Sequence, residues 1–528
     1  MKIPTHHGQM RRIARYVIRF VFVLLLTACS YPGLAQSPPP LVFVSPNPEA
    51  VPSPTPFQPA GDALAPVDPS TPQPTFTPLP PTDTPLPTLA FTATPLAQPT
   101  ASLLAARTQY TLHALLDYAG HQLAVDEVVR YTNQTGVTLG ELVMAAVPNL
   151  REGFSLENVV LDGNPLNYDL SGQRLTVYLP QGLAPGAQAT LSMRFRISLP
   201  AKIKEHPYGY DVDQVNLTDW YPFVVPYVNG WVLHEPGAMG EYLVYDSADF
   251  EVNVRTTDPN VVIAASGLAD PQPNGDWTRY RLLGGRTFAI SASDQFLVLD
   301  ATAGAAQIRS YYYPGYEAEG AAILNAAVRA VGIFEAKFGP YPYGSLSVIQ
   351  ADLNDGQEYD GLVYLATAFY NQYDGSARSN LVAIGVHEIA HQWWFGLVGN
   401  DQAMEPWLDE ALCVYSEEIF YRYIYPNSHD WWWSFRVNWF GPSGYVDTNI
   451  YQPPTFRAYV NASYLNGANF LEALNYRMGD DAFFRFLQDY AVRFGRTRVT
   501  TYDFFAVARQ HTTEDISDLI NAYFEGSY

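Results

Sequence analysis

Cysteine is almost absent from this chain: its 528 residues contain two, Cys29 and Cys413. A disulfide framework is therefore excluded, and Cys413 has no partner left once Cys29 is assigned as below. Cys413 reads as a small apolar residue in the helix that carries Glu410, not as a catalytic thiol. Positive charge is scarce as well, with 30 Lys and Arg against 52 Asp and Glu and a net charge of −22. That balance excludes nucleic acid as a partner, because a surface that neutralises phosphates must be basic. Long hydrophobic runs are also missing. The apolar stretch Phe20 to Leu26 is too short for a membrane span, and no obligate protein partner is evident.

What the N-terminus does hold is an export pattern. Arg11, Arg12, Arg15 and Arg19 precede the apolar stretch, the order of charge and hydrophobicity found in a signal peptide. The closing Leu26-Thr27-Ala28-Cys29 resembles the bacterial lipoprotein box, which implies a signal peptide over 1–29 and a lipid on Cys29. The expected location is extracytoplasmic, anchored to a bacterial cell membrane, with an uncleaved signal anchor as the alternative. Of the 42 prolines, 21 fall between positions 31 and 100. Such a segment offers few ladder donors and no core, so 30–104 is expected to be a disordered Pro/Thr/Ser-rich tether.

With 48% hydrophobic residues, the rest can bury two domains. Alternating segments such as Tyr110 to Leu115, Val125 to Tyr131, Arg174 to Leu179 and Thr190 to Ile197 predict strands, as do Tyr242 to Tyr245, Phe250 to Arg255, Val261 to Ala265 and Trp277 to Leu282. Residues 105–300 are thus expected to form an all-β, sandwich-like domain. Asp211, Asp213, Gln214 and Asn216 are candidates to reach from it toward a catalytic cleft. From 301 to 528 the pattern changes to mixed strands followed by helices, an α+β domain: a helix over Ala318 to Phe338, and strands Leu346 to Ala351 and Leu362 to Ala366 joined by Asp352 to Gly361.

Chemistry concentrates in 387–410, HEIAHQWWFGLVGNDQAMEPWLDE. His387 and His391, four apart, fall on one helix face. Glu410 lies nineteen positions beyond His391, enough for a turn and a returning helix. Two imidazoles and a carboxylate suit Zn²⁺, one per chain, and three protein ligands leave a fourth position open. Glu388, between the histidines, is free to act as general base toward water. A chance HExxH in a chain with this few histidines has a probability of roughly one per cent. Asp401, Asp409 and Glu417 are available to orient the histidines.

HEIAH, eighteen residues, then Glu410 within Trp407-Leu408-Asp409-Glu410-Ala411 resembles the M1 family of zinc aminopeptidases, gluzincins with a thermolysin-like catalytic domain behind an N-terminal β domain. The resemblance implies that Asp355-Gly356-Gln357-Glu358-Tyr359 occupies the place of the family's Gly-x-Met-Glu-Asn segment at a sheet edge, with Gly356, Gln357 and Glu358 binding substrate and Glu358 holding its α-ammonium. It also implies that Tyr464, in Ser463-Tyr464-Leu465-Asn466-Gly467, stabilises the oxyanion, with Tyr459 as the fallback. Asp355, Gln357 and Tyr359 depart from the family pattern, and Asp360 is expected to add a charge beside Glu358, strengthening amine attraction or favouring basic N-terminal residues. The chain stops at Tyr528 without the large helical C-terminal domain of many relatives, so a more open cleft is expected. Peptides are the expected substrates. An endopeptidase on the same scaffold and a non-catalytic surface peptide-binding protein remain the alternatives.

Overall fold

Along Gln122–Thr132 the residues Leu123, Val125, Glu127, Val129 and Tyr131 are buried and their neighbours are not. This is the period-two pattern of a strand with one face on a core. The computed structural model describes residues 107–270 and 275–528. The signal peptide expected at 1–29, the tether expected at 30–104 and Cys29 lie outside the described residues.

The first half is built from three sheets. Eight strands make the largest, in the order Leu268–Ala269, Thr278–Gly285, Ala248–Thr256, Thr108–Asp117, Gln122–Thr132, Gln188–Ser198, Phe154–Leu161 and Asn164–Pro165. Thr108–Asp117 and Ala248–Thr256 pair in parallel; the other neighbours are antiparallel. Two four-stranded sheets complete the sandwich-like half. Tyr242 to Tyr245, expected as a strand, is not one. Its polar groups are spent elsewhere: Glu241 and Tyr245 line the cavity described below, and the Tyr245 hydroxyl donates to Asp219 at 2.7 Å.

A five-stranded sheet then runs in the order Leu297–Ala303, Ala306–Tyr312, Ser345–Ala351, Leu362–Ala366, Gln357–Tyr359. Helix Glu317–Phe338 makes the crossover between two parallel strands of it, the connection a parallel pair requires. Asp352 to Gly361, expected to join two strands, contributes Gln357–Tyr359 itself, at the sheet's edge where the resemblance placed it. Helices dominate the remainder, and Asn380–Ala390 is buried along its whole length. Gly385 permits this close packing, because a Cβ there would stand 2.4 Å from Ile323 of the crossover helix. No helix among the described residues is long and apolar enough to cross a membrane.

Buried polar groups stitch the sandwich to the helical half. Arg286, 3% exposed, donates to the carbonyls of Tyr245, Phe395 and Thr497 at 3.0, 2.6 and 2.6 Å. The cluster expected to reach the cleft serves this junction instead. Gln214 donates to Ser291 Oγ and to the Gln350 carbonyl, Ser291 donates to Asn216, and Asp211 pairs with Lys202. None of Asp211, Asp213, Gln214 and Asn216 lines the cavity, because Gln214 and Asn216 are fully buried between strands.

Candidate metal centre

Helix Asn380–Ala390 carries His387 and Glu388 in its last turn and is capped by His391. Helix Trp407–Ile424 packs against it and brings Glu410 and, two turns on, Glu417. His387 Nε2 lies 3.2 Å from His391 Nε2 and 3.2 Å from Glu410 Oε2, and His391 Nε2 is 3.6 Å from that oxygen. The outward nitrogens determine what these groups present. His391 Nδ1 faces the Trp394 carbonyl at 3.1 Å, which only accepts, so Nδ1 holds the proton. His387 Nδ1 faces Glu417 at 3.0 Å, a carboxylate that also accepts from Trp432 Nε1 and Arg436 Nε, both at 2.9 Å. Both Nε2 lone pairs therefore converge with a carboxylate oxygen on one point, an arrangement that needs a cation between them.

The electrostatics of the pocket point the same way. Burial lowers the His387 pKa, yet hydrogen bonds to Glu410 and Glu417 raise it to about 9. Burial raises Glu410, yet His391 and His387 bring it down to about 2. The pocket draws positive charge, and two imidazoles with one carboxylate are the donor set of a catalytic zinc.

Glu388 is buried beside this point, and burial pushes its carboxyl up to about 8. Gly356 is the floor on which it rests: a Cβ at that position would stand 2.2 Å from Glu388 Oε1. Tyr464 lies in a π-helical stretch, Val460–Asn466, a distortion common at functional sites. It lines the cavity and its hydroxyl donates to Glu410. Tyr459 packs against Tyr464 with ring centroids 5.4 Å apart and does not line the cavity. Cys413 is buried, and burial pushes its thiol far up.

Gly356, His387, Glu388, His391, Glu410 and Tyr464 open on one cavity of about 740 Å³. Glu358, on the edge strand, brings its carboxylate to within 4.8 Å of the ligand atoms of Glu388 and His391. Its carboxylate accepts from Gln402 Nε2 at 3.1 Å and Gln357 Nε2 at 2.8 Å, and Gln357 also reaches Glu241 at 3.4 Å. Glu241 is a cavity-lining carboxylate the sequence did not disclose, since it has no motif spacing and lies just before a segment expected as a strand. Asp360 overturns an expectation. Its carboxylate accepts from the backbone N–H groups of Arg286 and Thr287 at 2.8 and 2.7 Å and from the Tyr343 hydroxyl, and it does not line the cavity. Gly361, at φ +68°, ends the strand there and turns the chain. Of the three carboxylates available to orient the histidines, Glu417 reaches His387, Asp409 accepts from Gln402 and Asp401 pairs with His234.

Residues 323–523 match the family model described as Peptidase family M1 domain. That segment carries a peptidase family M1 domain. Aminopeptidase M1-B of Oryza sativa subsp. japonica is 25% identical to it over 232 residues, which are 41% of this chain and 26% of the rice protein. Aminopeptidase M1 of Arabidopsis thaliana is 23% identical over 244 residues, 43% of this chain and 27% of the plant protein. The M1 chain thus spans about a quarter of the length of the curated relatives it matches. The crystal structure of the M1 zinc metallopeptidase from Deinococcus radiodurans shares its fold, with a TM-score of 0.60 at 18% identity over 80% of this chain and 94% of that one. An N-terminal β-rich half followed by a helix-rich M1 half is the architecture of both.

Proposed function

We propose that this M1 protein is a zinc-dependent aminopeptidase. The observation that carries the reading is that two carboxylates, Glu358 and Glu241, face the same cavity as the His387, His391 and Glu410 triad. An endopeptidase has no use for that pair, whereas a substrate's free α-ammonium does. Zinc held by the triad would supply a Lewis acid that polarises the peptide carbonyl and acidifies water. Glu388 takes the proton of the attacking water and returns it to the departing amine. Tyr464 turns its hydroxyl from Glu410 toward the oxygen that gains charge. The edge strand Gln357–Tyr359 offers backbone groups along which a peptide adds as a further strand. Donation from Gln402 and Gln357 keeps Glu358 aimed at the terminus. The test is a pair of tripeptides differing by N-acetylation: cleavage of the free amine alone is expected, and equal cleavage of both would return the endopeptidase reading.

The Arg-rich start, the apolar stretch and Cys29 support a protein held outside the cytoplasm by a lipid. Membrane fractionation of wild type and Cys29→Ser would check it, with release of the variant expected.

A further inference from the structure

The same cavity holds a further carboxylate, beside Glu358 and Glu241, that the aminopeptidase reading leaves unused. Asp219 lines it, and its Oδ1 accepts the Tyr245 hydroxyl at 2.7 Å, leaving Oδ2 with no hydrogen-bond partner among the described residues. The charged group acting on Asp219 is Glu358, which pushes its carboxyl in the same direction as burial does. No Lys or Arg is paired with Asp219, Glu241 or Glu358 among the described residues, while the nearby Arg286 is committed to backbone carbonyls. Arg151, Lys204 and Arg436 also line the cavity but pair with none of these three, and carboxylates left unpaired are costly in a half-buried pocket. A single α-ammonium offsets only part of that cost.

The walls around Asp219 indicate what else enters. Tyr245, Tyr359 and Phe395 line this part of the cavity, and Tyr245 and Phe395 meet edge to face with centroids 6.1 Å apart. Phe395 is held at φ +132°, a backbone region that favours glycine, with its carbonyl clamped by Arg286 Nε at 2.6 Å. A large ring is thereby kept at this wall. Aromatic faces suit a methylene stem and a cation at its tip.

We infer that Asp219 is the specificity-determining residue for the substrate's first side chain and that it selects lysine or arginine. The inference rests on the aminopeptidase reading. The substrate's α-ammonium binds Glu358 and Glu241, its stem lies against Tyr245 and Phe395, and its terminal cation meets Asp219. The substrate thus brings two positive charges to three carboxylates.

L-Lysinamide and L-norleucinamide have the same stem and differ by the terminal ammonium, so their binding to the zinc-loaded full chain, measured by calorimetry, isolates the contact. Wild type should prefer lysinamide by about tenfold or more, which is about 1.4 kcal/mol. Asp219→Asn should bring the ratio close to one, and Glu358→Gln should weaken both ligands together. Asp219→Glu, which keeps a carboxylate at that wall, should retain a preference for lysinamide and so controls for a local folding defect. A wild-type ratio near one, or a preference that survives in Asp219→Asn, overturns the inference. Hydrolysis of lysine p-nitroanilide separates the two claims. If it fails while the binding ratio holds, the peptidase reading falls and Asp219 stands; if free-amine substrates are cleaved without any basic preference, the reverse is true.

Discussion

Glu388 and Gly356 form a pair in which one side chain does the proton transfer and the absence of another makes room for it. Glu388 is not placed to complete the His387, His391 and Glu410 triangle, so Glu388→Gln should keep one zinc per chain by metal analysis while kcat falls by about 10² to 10⁴, the usual contribution of a positioned acid or base. Loss of zinc in that variant would make Glu388 a ligand. At Gly356 the 2.2 Å approach of a Cβ to Glu388 Oε1 leaves no room for any side chain. Gly356→Ala should therefore displace Glu388 and lower kcat by about tenfold or more. Steady-state kinetics on a dipeptide substrate distinguish this from a general loss of binding.

Elements carry the next set of consequences. Helix Trp407–Ile424 delivers both a ligand and that ligand set's support, because Glu410 and Glu417 fall seven residues apart on one face. Glu417 is fully buried, and its bonds from Trp432 and Arg436 hold it against His387. Glu417→Ala should lower zinc affinity by about 10 to 100-fold, as loss of a histidine's hydrogen-bond partner does elsewhere, and competition against a chromogenic chelator reads this without any turnover. In strand Gln122–Thr132, position 127 faces the core, and alternation there asks for an apolar residue. Glu127 is 1% exposed, and neither carboxylate oxygen has a partner. Burial raises its pKa well above the ordinary value, so it folds as the neutral acid. The unfolded value is about 4.3. Its contribution to stability is thus full below that pH and is lost as pH rises toward the folded value. Glu127→Leu should raise stability by about 1 to 3 kcal/mol, and thermal melts from acid to alkaline pH should show the gap over wild type widening as pH increases. A gap independent of pH would mean that the carboxyl is satisfied.

At the scale of the whole molecule, the cavity exists because a sandwich wall meets a helical floor. Arg286 holds the two together from the sandwich side, bonding carbonyls at Phe395 and Thr497 while Asp360 balances its charge. Removing it leaves a buried carboxylate without its cation and several carbonyls without donors. Arg286→Ala should cost about 3 to 5 kcal/mol in chemical denaturation, with activity lost along with the position of Phe395. A variant as stable as wild type would remove Arg286 from this role.

Much of this was legible beforehand, and the reason is local geometry. Two histidines four apart on a helix share a face whatever surrounds them, and nineteen residues suffice to return Glu410, so the triad and Glu388 could be named from spacing alone. Alternation likewise placed most strands of the sandwich. Where alternation failed, at Tyr242 to Tyr245, side-chain partners far along the chain had claimed the segment. Only the tertiary structure decided that Glu241 and Asp219 line the cavity of the triad, that Glu417 and not Asp409 or Asp401 supports His387, and that Asp360 turns from the cavity to bind Arg286 and Thr287. Those facts depend on contacts between the sandwich and the helical half across long separations in sequence. Such contacts leave no period and no motif, because a carboxylate acquires its partner from the packing of whole elements and not from its neighbours along the chain.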